Sequence, residues 1–121
     1  LAGERLFAAI GCAACHVRQL TTGPSAHPAF NRRSIVLFSD LLLHDVGTGD
    51  DIQQAAAEPG EIRTPALWGL RFRRPFLHDG SAVTIADAVE RHAGEADLAR
   101  RGFQRLTPDD RMRLLAFLRS L

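Results

Sequence analysis

The segment Cys12-Ala13-Ala14-Cys15-His16 has the form C-x-x-C-H and contains both cysteines of the 121-residue sequence. Two thiols at this spacing can each form a thioether bond to one edge of a porphyrin, and the adjacent imidazole can then ligate the iron. The pattern predicts one covalent haem c, attached through Cys12 and Cys15, with His16 as an axial ligand. A redox C-x-x-C and half of a zinc site are the alternatives. The sequence shows neither a βαβ pattern for the first nor a third cysteine for the second.

Length and composition indicate one globular domain over residues 1–121. The chain is 45% hydrophobic and 24% charged, with a formal net charge of +1. No basic stretch is interleaved with stacking aromatics, so nucleic-acid binding is not expected. No apolar run approaches membrane-spanning length. Because haem c is normally attached outside the cytoplasm, we expect a periplasmic or otherwise exported protein, of which this is a mature product or fragment.

Local patterns predict an all-α fold of the cytochrome c type, with short helices and long loops around the haem. Residues 2–10 form an amphipathic helix that ends at Gly11 and delivers Cys12 to the haem edge. Thr84 and Thr107 have the features of helix N-caps, with Asp87 three residues after the first and Pro108 directly after the second. The last helix has a buried stripe made of Leu114, Phe117, Leu118 and Leu121.

The remaining segments give weaker predictions. Residues 35–43 form either a short strand or an irregular segment, residues 52–58 a helical turn, and residues 96–103 a turn or short helix. The carboxylate-rich turn at residues 45–51 lacks the spacing of a calcium-binding loop, so a solvated turn is favoured. Trp68 is expected in the core. His16 should donate its second ring N–H to a carbonyl, and Pro28 is the candidate acceptor.

Five segments together resemble the C-terminal haem domain of bacterial di-haem cytochrome c peroxidases. The chain looks closer still to their di-haem oxidoreductase relatives, which are sometimes labelled thiol oxidoreductases. The segments span nearly the whole chain in the same order: Gly11-Cys12-Ala13-Ala14-Cys15-His16, Asp40-Leu41-Leu42-Leu43-His44-Asp45, Arg63-Thr64-Pro65-Ala66-Leu67-Trp68-Gly69-Leu70, Pro75-Phe76-Leu77-His78-Asp79-Gly80 and Leu115-Ala116-Phe117-Leu118-Arg119-Ser120-Leu121. The R-T-P-x-L and F-x-H-D-G pair makes the match more specific than C-x-x-C-H alone.

The resemblance implies further haem contacts and a sixth iron ligand. The contacts fall on Pro28, Arg63, Pro65, Leu67 and His78. The planar guanidinium of Arg63 suits a haem propionate, and a surface ion pair with Glu61 or Asp51 is the alternative that is commoner from sequence alone. The sixth ligand of the family is often a Met on the helix after the H-D-G turn, and this chain has His92 at that position. Family members carry two haems on two domains, whereas this chain has one attachment motif.

Bis-His ligation by His16 and His92 is therefore expected, and the apolar helical face predicted for His92 agrees with it. The competing sixth ligands are His44, His78, Met112 and a vacant or water-filled position. His78 fits a hydrogen-bonding role in its turn better, and Met112 a packing role in the last helix.

Two nitrogen ligands leave no open iron position, which favours an electron-transfer module of low potential. The alternative is a peroxidase or other oxidoreductase whose sixth ligand leaves, with His78 or His44 as general base. A third possibility is one docked half of a larger di-haem protein, with the Arg71–Arg74 segment exposed. The expected partner is thus a redox protein or a further haem domain, and the oligomeric state is open.

Overall fold

The computed structural model describes residues 2–49 and 51–121. In these residues the chain forms four α-helices and two separate antiparallel sheets of two strands each. The helices are α1 (Ala2–Ala9), α2 (Ile85–Glu90), α3 (Asp97–Gln104) and α4 (Pro108–Arg119). The strands are β1 (Gln19–Thr21), β2 (Ser34–Val36), β3 (Leu43–Asp45) and β4 (Glu61–Arg63). Short 3₁₀ turns lie at Cys12–Ala14, Leu70–Phe72 and Gly94–Ala96.

The prediction of an all-α fold is wrong. The α-helices and the 3₁₀ turns together account for 36% of the chain, and the two sheets make the fold mixed α/β. In one sheet Gln19 pairs with Val36, and in the other Leu43 pairs with Arg63. Each strand has only three residues, which is too short for the alternation of polar and apolar residues that reveals a strand in a sequence. Residues 35–43 were open between a short strand and an irregular segment, and the structure has both. Residues 35 and 36 belong to β2, residue 43 begins β3, and residues 37–42 belong to no strand.

The first and last helices pack together at the base of the fold. Gly3 of α1 lies so close to α4 that a Cβ added to it would be 2.3 Å from the Arg113 carbonyl oxygen. One turn later, the Phe7 ring meets the Phe117 ring edge-on with centroids 5.6 Å apart. Phe38 contacts both rings. The core also contains Leu67, Leu70, Phe103, Leu114 and Leu118.

Both predicted N-caps are confirmed. The Thr84 hydroxyl accepts a hydrogen bond of 3.0 Å from the Asp87 N–H, and the Thr107 hydroxyl one of 3.2 Å from the Asp110 N–H. These bonds satisfy N–H groups that have no partner within the helix. They therefore fix where α2 and α4 begin.

Other local predictions fail where tertiary contacts decide the conformation. Residues 52–58 form no helical turn, because the chain there makes a tight turn with a bridge between Gln54 and Ala57. Trp68 is 51% exposed and donates its indole N–H to the Val36 carbonyl, and Met112 is 62% exposed on α4. Asp50 of the carboxylate-rich turn lies outside the described residues. Among the described residues, no helix combines the length and hydrophobicity needed to cross a bilayer.

Candidate functional site

The cysteines lie on a single tight turn that begins where α1 ends. Gly11 has a φ of 98°, in the left-handed region that glycine adopts without strain, and the chain then enters the Cys12–Ala14 3₁₀ turn. The His16 N–H closes this turn on the Cys12 carbonyl at 3.0 Å. The α1 helix and its glycine therefore set the position of both thiols and of the imidazole beside them, as the sequence predicted.

Both thiols are free, and both are less acidic than an ordinary cysteine. Burial raises the pKa of Cys12 to about 11. Burial also raises the pKa of Cys15, and the negative charges of Asp40 and Glu95 add to the effect. Reactive redox cysteines have a lowered pKa and are thiolates near neutral pH. The electrostatics of this turn are thus unlike those of a redox C-x-x-C.

The His16 ring is held by one hydrogen bond and one aromatic contact. Its Nδ1–H donates to the Phe38 carbonyl at 2.9 Å, and its ring lies 6.2 Å from that of Phe7. Nδ1 is thereby occupied, so Nε2 is the ring nitrogen left with a lone pair for a metal. Burial lowers the pKa of His16, and nearby His92 lowers it further, against the raising effect of the Phe38 bond. Burial therefore favours the neutral imidazole that metals bind.

The predicted acceptor for His16 was Pro28, and this prediction is wrong. Pro28 is exposed, and its carbonyl accepts a hydrogen bond of 3.1 Å from Arg33 Nε. Residues 37–40 instead fold over the attachment turn, where the Ser39 N–H reaches the Val17 carbonyl at 2.8 Å. Phe38 takes a left-handed φ of 52° in this segment, which costs about 1–3 kcal/mol for a residue with a side chain. Burial of its ring in the core offsets that strain.

His92 is anchored in the same way as His16. It lies two residues beyond the end of α2, not within the helix as predicted, and it is partly buried. Its Nδ1–H donates to the Ala88 carbonyl at 2.7 Å, which again leaves Nε2 as the available ring nitrogen. His92 also contributes to the lowered pKa of His16. Both histidines that the sequence predicted as axial ligands therefore present Nε2 as the available ring nitrogen, and their ligation of one iron stays a prediction.

His44 has both ring nitrogens engaged by carboxylates. Nε2 is 2.8 Å from Asp40 Oδ2, and Nδ1 is 2.9 Å from Glu95 Oε2. A carboxylate accepts hydrogen bonds, so both ring nitrogens must carry a proton. The hydrogen bonds that His44 donates to Glu95 and Asp40 accordingly raise its pKa. To ligate a metal, His44 would have to lose a proton and give up one of these two hydrogen bonds, which His16 and His92 would not have to do.

Sequence reasoning missed the carboxylates of this cluster. Asp40 and His44 are four residues apart in the D-L-L-L-H-D segment, a spacing that hints at their contact. Glu95 gives no local signal, because it lies 51 residues from His44 along the chain. Among the described residues, ligand atoms of Cys15, Asp40 and His44 lie within 4.8 Å of one another, as in a metal site. His44 could join such a site only by losing a proton and giving up one of its two hydrogen bonds to carboxylates.

Two of the residues predicted to contact the haem line the same open cavity, which has a volume of about 440 Å³. Its lining includes Arg63 at the end of β4 and His78 in the turn before α2; the other lining residues are Leu43, Gln54, Ala57, Glu61 and Ile62. Of the further predicted contacts, Leu67 is buried in the core and Pro65 is exposed. No residue of the C-x-x-C-H motif is among the described lining residues, so haem contact by these residues and by Pro28 stays a prediction.

The donor set fits a covalent haem. Two free thiols share one turn with His16. In two imidazoles Nδ1 is fixed on a carbonyl, and Nε2 makes no hydrogen bond within the described residues. Metal-ligating histidines typically donate their other ring N–H in this way. Four cysteines, or a cysteine and histidine cluster with free lone pairs, would instead suit zinc. The residues present therefore favour haem c over the zinc alternative.

Comparison with known proteins agrees with this chemistry. A family model described as "Di-haem oxidoreductase, putative peroxidase" matches residues 1–121. The chain is 26% identical over 121 residues to a cytochrome c551 peroxidase of Nitrosomonas europaea. The match covers 100% of this chain and 33% of that protein, so the chain spans about a third of the relative's length.

The match over the whole chain confirms the resemblance seen in the sequence motifs. The family implies haem c, and the two cysteines of the sequence provide for one such group. The chain belongs to the di-haem oxidoreductase family and is a haem-containing, peroxidase-like domain of it.

Proposed function

We propose that the chain is a c-type cytochrome domain that transfers electrons through one haem held between His16 and His92. The observation that carries the proposal is the matched anchoring of these two rings. Each donates Nδ1–H to a main-chain carbonyl, at 2.9 Å for His16 and 2.7 Å for His92. Both ring nitrogens of His44 are engaged by carboxylates, and His27 is an exposed loop residue whose Nδ1 accepts the Ala29 N–H.

Each residue of the site has a separate task in this proposal. Cys12 and Cys15 would attach the porphyrin through thioethers, and Nε2 of His16 and of His92 would ligate its iron. Bound haem c supplies one-electron exchange between Fe(III) and Fe(II). The carbonyls of Phe38 and Ala88 fix the tautomer and orientation of the rings, so little rearrangement accompanies the change of charge. Two imidazoles also give a lower potential than an imidazole with a thioether, because an axial Met raises it.

The cavity with Arg63 and the length of the relative support a redox partner close to the haem. Arg63, on the 440 Å³ cavity, has the planar fork that pairs with a carboxylate such as a haem propionate. The relative is three times as long as this chain, so a further haem domain is a natural partner, as is a separate redox protein. We further propose a periplasmic or otherwise exported location and a single domain over residues 1–121, because haem c is attached outside the cytoplasm.

Low-temperature electron paramagnetic resonance of the ferric, haem-loaded protein tests the ligation. The wild type should give a low-spin signal, and His92→Ala should convert it to a high-spin or differently ligated signal. His27→Ala is the matched control, because it removes an exposed histidine of the loop and should leave the spectrum unchanged. An unchanged spectrum in His92→Ala would refute ligation by His92.

A second candidate function is a haem-dependent peroxidase with a displaceable sixth ligand. The cavity lined by Arg63 and His78 favours it, because the two side chains offer a cation and a general base on the wall of an accessible space. Hydrogen peroxide added to the reduced protein with a reducing dye separates the two functions. Rapid turnover that is lost in His78→Ala supports the peroxidase, whereas an inert six-coordinate spectrum supports the electron carrier.

A further inference from the structure

The segment that carries His92 packs against the end of strand β3 and the residues that follow it. The Ala93 N–H donates to the Val46 carbonyl at 2.9 Å. Gly94 has a φ of 51°, and a Cβ on it would be 2.4 Å from the Asp45 carbonyl oxygen. A Cβ on Gly47 would similarly lie 2.8 Å from that of Ala93. The two segments therefore approach each other as closely as their backbones allow, and a small change in this contact would displace His92.

One side chain ties the two segments together on their polar side. Glu95 accepts the Asp45 N–H at 2.9 Å with Oε1, and it accepts His44 Nδ1–H at 2.9 Å with Oε2. Both carboxylate oxygens are thus used, and both partners belong to β3. The hydrogen bond from His44, followed by that from Asp45, keeps the pKa of Glu95 below its ordinary value, so the group is an anion at neutral pH.

The same chain of hydrogen bonds continues to the attachment turn. The other ring nitrogen of His44 donates to Asp40 at 2.8 Å, and the Asp40 N–H donates to the Cys15 carbonyl at 2.8 Å. Cys15 directly precedes His16, and Glu95 follows His92 by three residues. A continuous polar path therefore joins the segments that carry the two imidazoles, without including either imidazole.

We propose that Glu95 is a positioning residue for His92, which acts through this path of Glu95, His44, Asp40 and the Cys15 carbonyl. The inference rests on the proposed function, because it requires His92 to be a ligand. The Glu95 carboxylate holds the Ala93–Glu95 segment on β3, and through His44 and Asp40 it fixes that segment relative to the attachment turn. Its loss lets His92 move away from its ligating position more often, while the ligand itself is unchanged.

The rate at which cyanide binds to the ferric, haem-loaded protein measures this freedom, because cyanide enters only when the sixth position is vacated. Glu95→Ala removes both hydrogen bonds, and we expect binding about threefold to tenfold faster, the effect of losing charge-assisted bonds at a partly exposed site. Glu95→Gln keeps an oxygen for the Asp45 N–H and loses the charge facing His44, so a smaller increase is expected. The ferric spectra of both variants should show a high-spin fraction, which should be larger in Glu95→Ala than in Glu95→Gln.

Two controls separate positioning from loss of charge or of stability. Glu58→Gln removes an exposed carboxylate from the loop before β4, and Thr107→Ala removes the N-cap of α4 and lowers global stability. Both should bind cyanide at the wild-type rate. Equal acceleration in Thr107→Ala and Glu95→Ala would overturn the proposal, because general destabilisation would then account for it.

The remaining outcomes distinguish the inference from the function on which it rests. A low-spin wild type that responds to His92→Ala but not to Glu95→Ala overturns the role of Glu95 and leaves the ligation intact. A wild type that binds cyanide as fast as His92→Ala overturns both. Acceleration in the order Glu95→Ala, then Glu95→Gln, then the controls supports the positioning role.

Discussion

Substitution of Gly3 by alanine tests the contact between α1 and α4 that positions the attachment turn. Helix propensity alone predicts that this change is stabilising, by at most about 1 kcal/mol. The structure predicts the opposite sign. The added Cβ would lie 2.3 Å from the Arg113 carbonyl oxygen and 2.6 Å from the Phe117 Cβ, where ordinary contacts begin at 3.4 Å. One of these atoms is main chain, so α1 must move away from α4 by about 1 Å.

The magnitude follows from the packing that this movement disturbs. A carbon atom added to a well-packed interface typically lowers the free energy of unfolding by about 1–3 kcal/mol. After the gain in helix propensity, we expect a net loss of about 1–2 kcal/mol in the free energy of unfolding. For a chain of 121 residues this corresponds to a fall in Tm of about 5 °C. The shift also moves Phe7, which packs against the His16 ring.

Thermal unfolding of the haem-loaded protein, followed by circular dichroism, measures the effect. Gly23→Ala is the matched control, because nothing lies within 4 Å of a Cβ at that position. It should leave Tm within about 1 °C of the wild type, as surface substitutions usually do. A Gly3→Ala protein that is as stable as the wild type, or more stable, would show that α1 and α4 are not packed as described.

Two further predictions concern the core and the carboxylate cluster. Replacement of the fully buried Leu114 by alanine should lower the free energy of unfolding by about 3 kcal/mol, as measured by urea unfolding. A loss below about 1 kcal/mol would mean that the site is not buried. The hydrogen bonds to Glu95 and Asp40 raise the pKa of His44 above the ordinary 6.5. Protonated His44 therefore stabilises the folded state fully below pH 6.5, and this stabilisation is lost as pH rises through the raised pKa. The difference in Tm between wild type and His44→Ala should therefore shrink from pH 6 to pH 9, and a difference independent of pH would contradict the paired imidazolium.

The features that the sequence predicted correctly are local ones. The two N-caps and the left-handed Gly11 depend on contacts within three or four residues, and such contacts can be seen in a pattern. The C-x-x-C-H turn is likewise determined by adjacent residues. Periodicity placed His92 within a helix that in fact ends at Glu90, and its role as an iron ligand, which the family resemblance implies, stays a prediction.

The features that the sequence did not predict depend on the path of the main chain. The acceptor for His16 is a carbonyl, which every residue has, so nothing in the side-chain pattern distinguishes Phe38 from Pro28. The three-residue strands have no periodicity to detect, and their pairing joins distant segments. Glu95 reaches His44 for the same reason, through a fold that brings β3 beside the segment after α2.

The mass of the denatured protein after maturation in an exporting host tests the central claim most directly. A thioether survives denaturation, so the account predicts the mass of the polypeptide plus one haem, and the mass of the bare polypeptide when Cys12 and Cys15 are both replaced by alanine. A wild-type protein with the bare mass, or with a metal ion in place of haem, would contradict the assignment of the attachment turn and everything inferred from it.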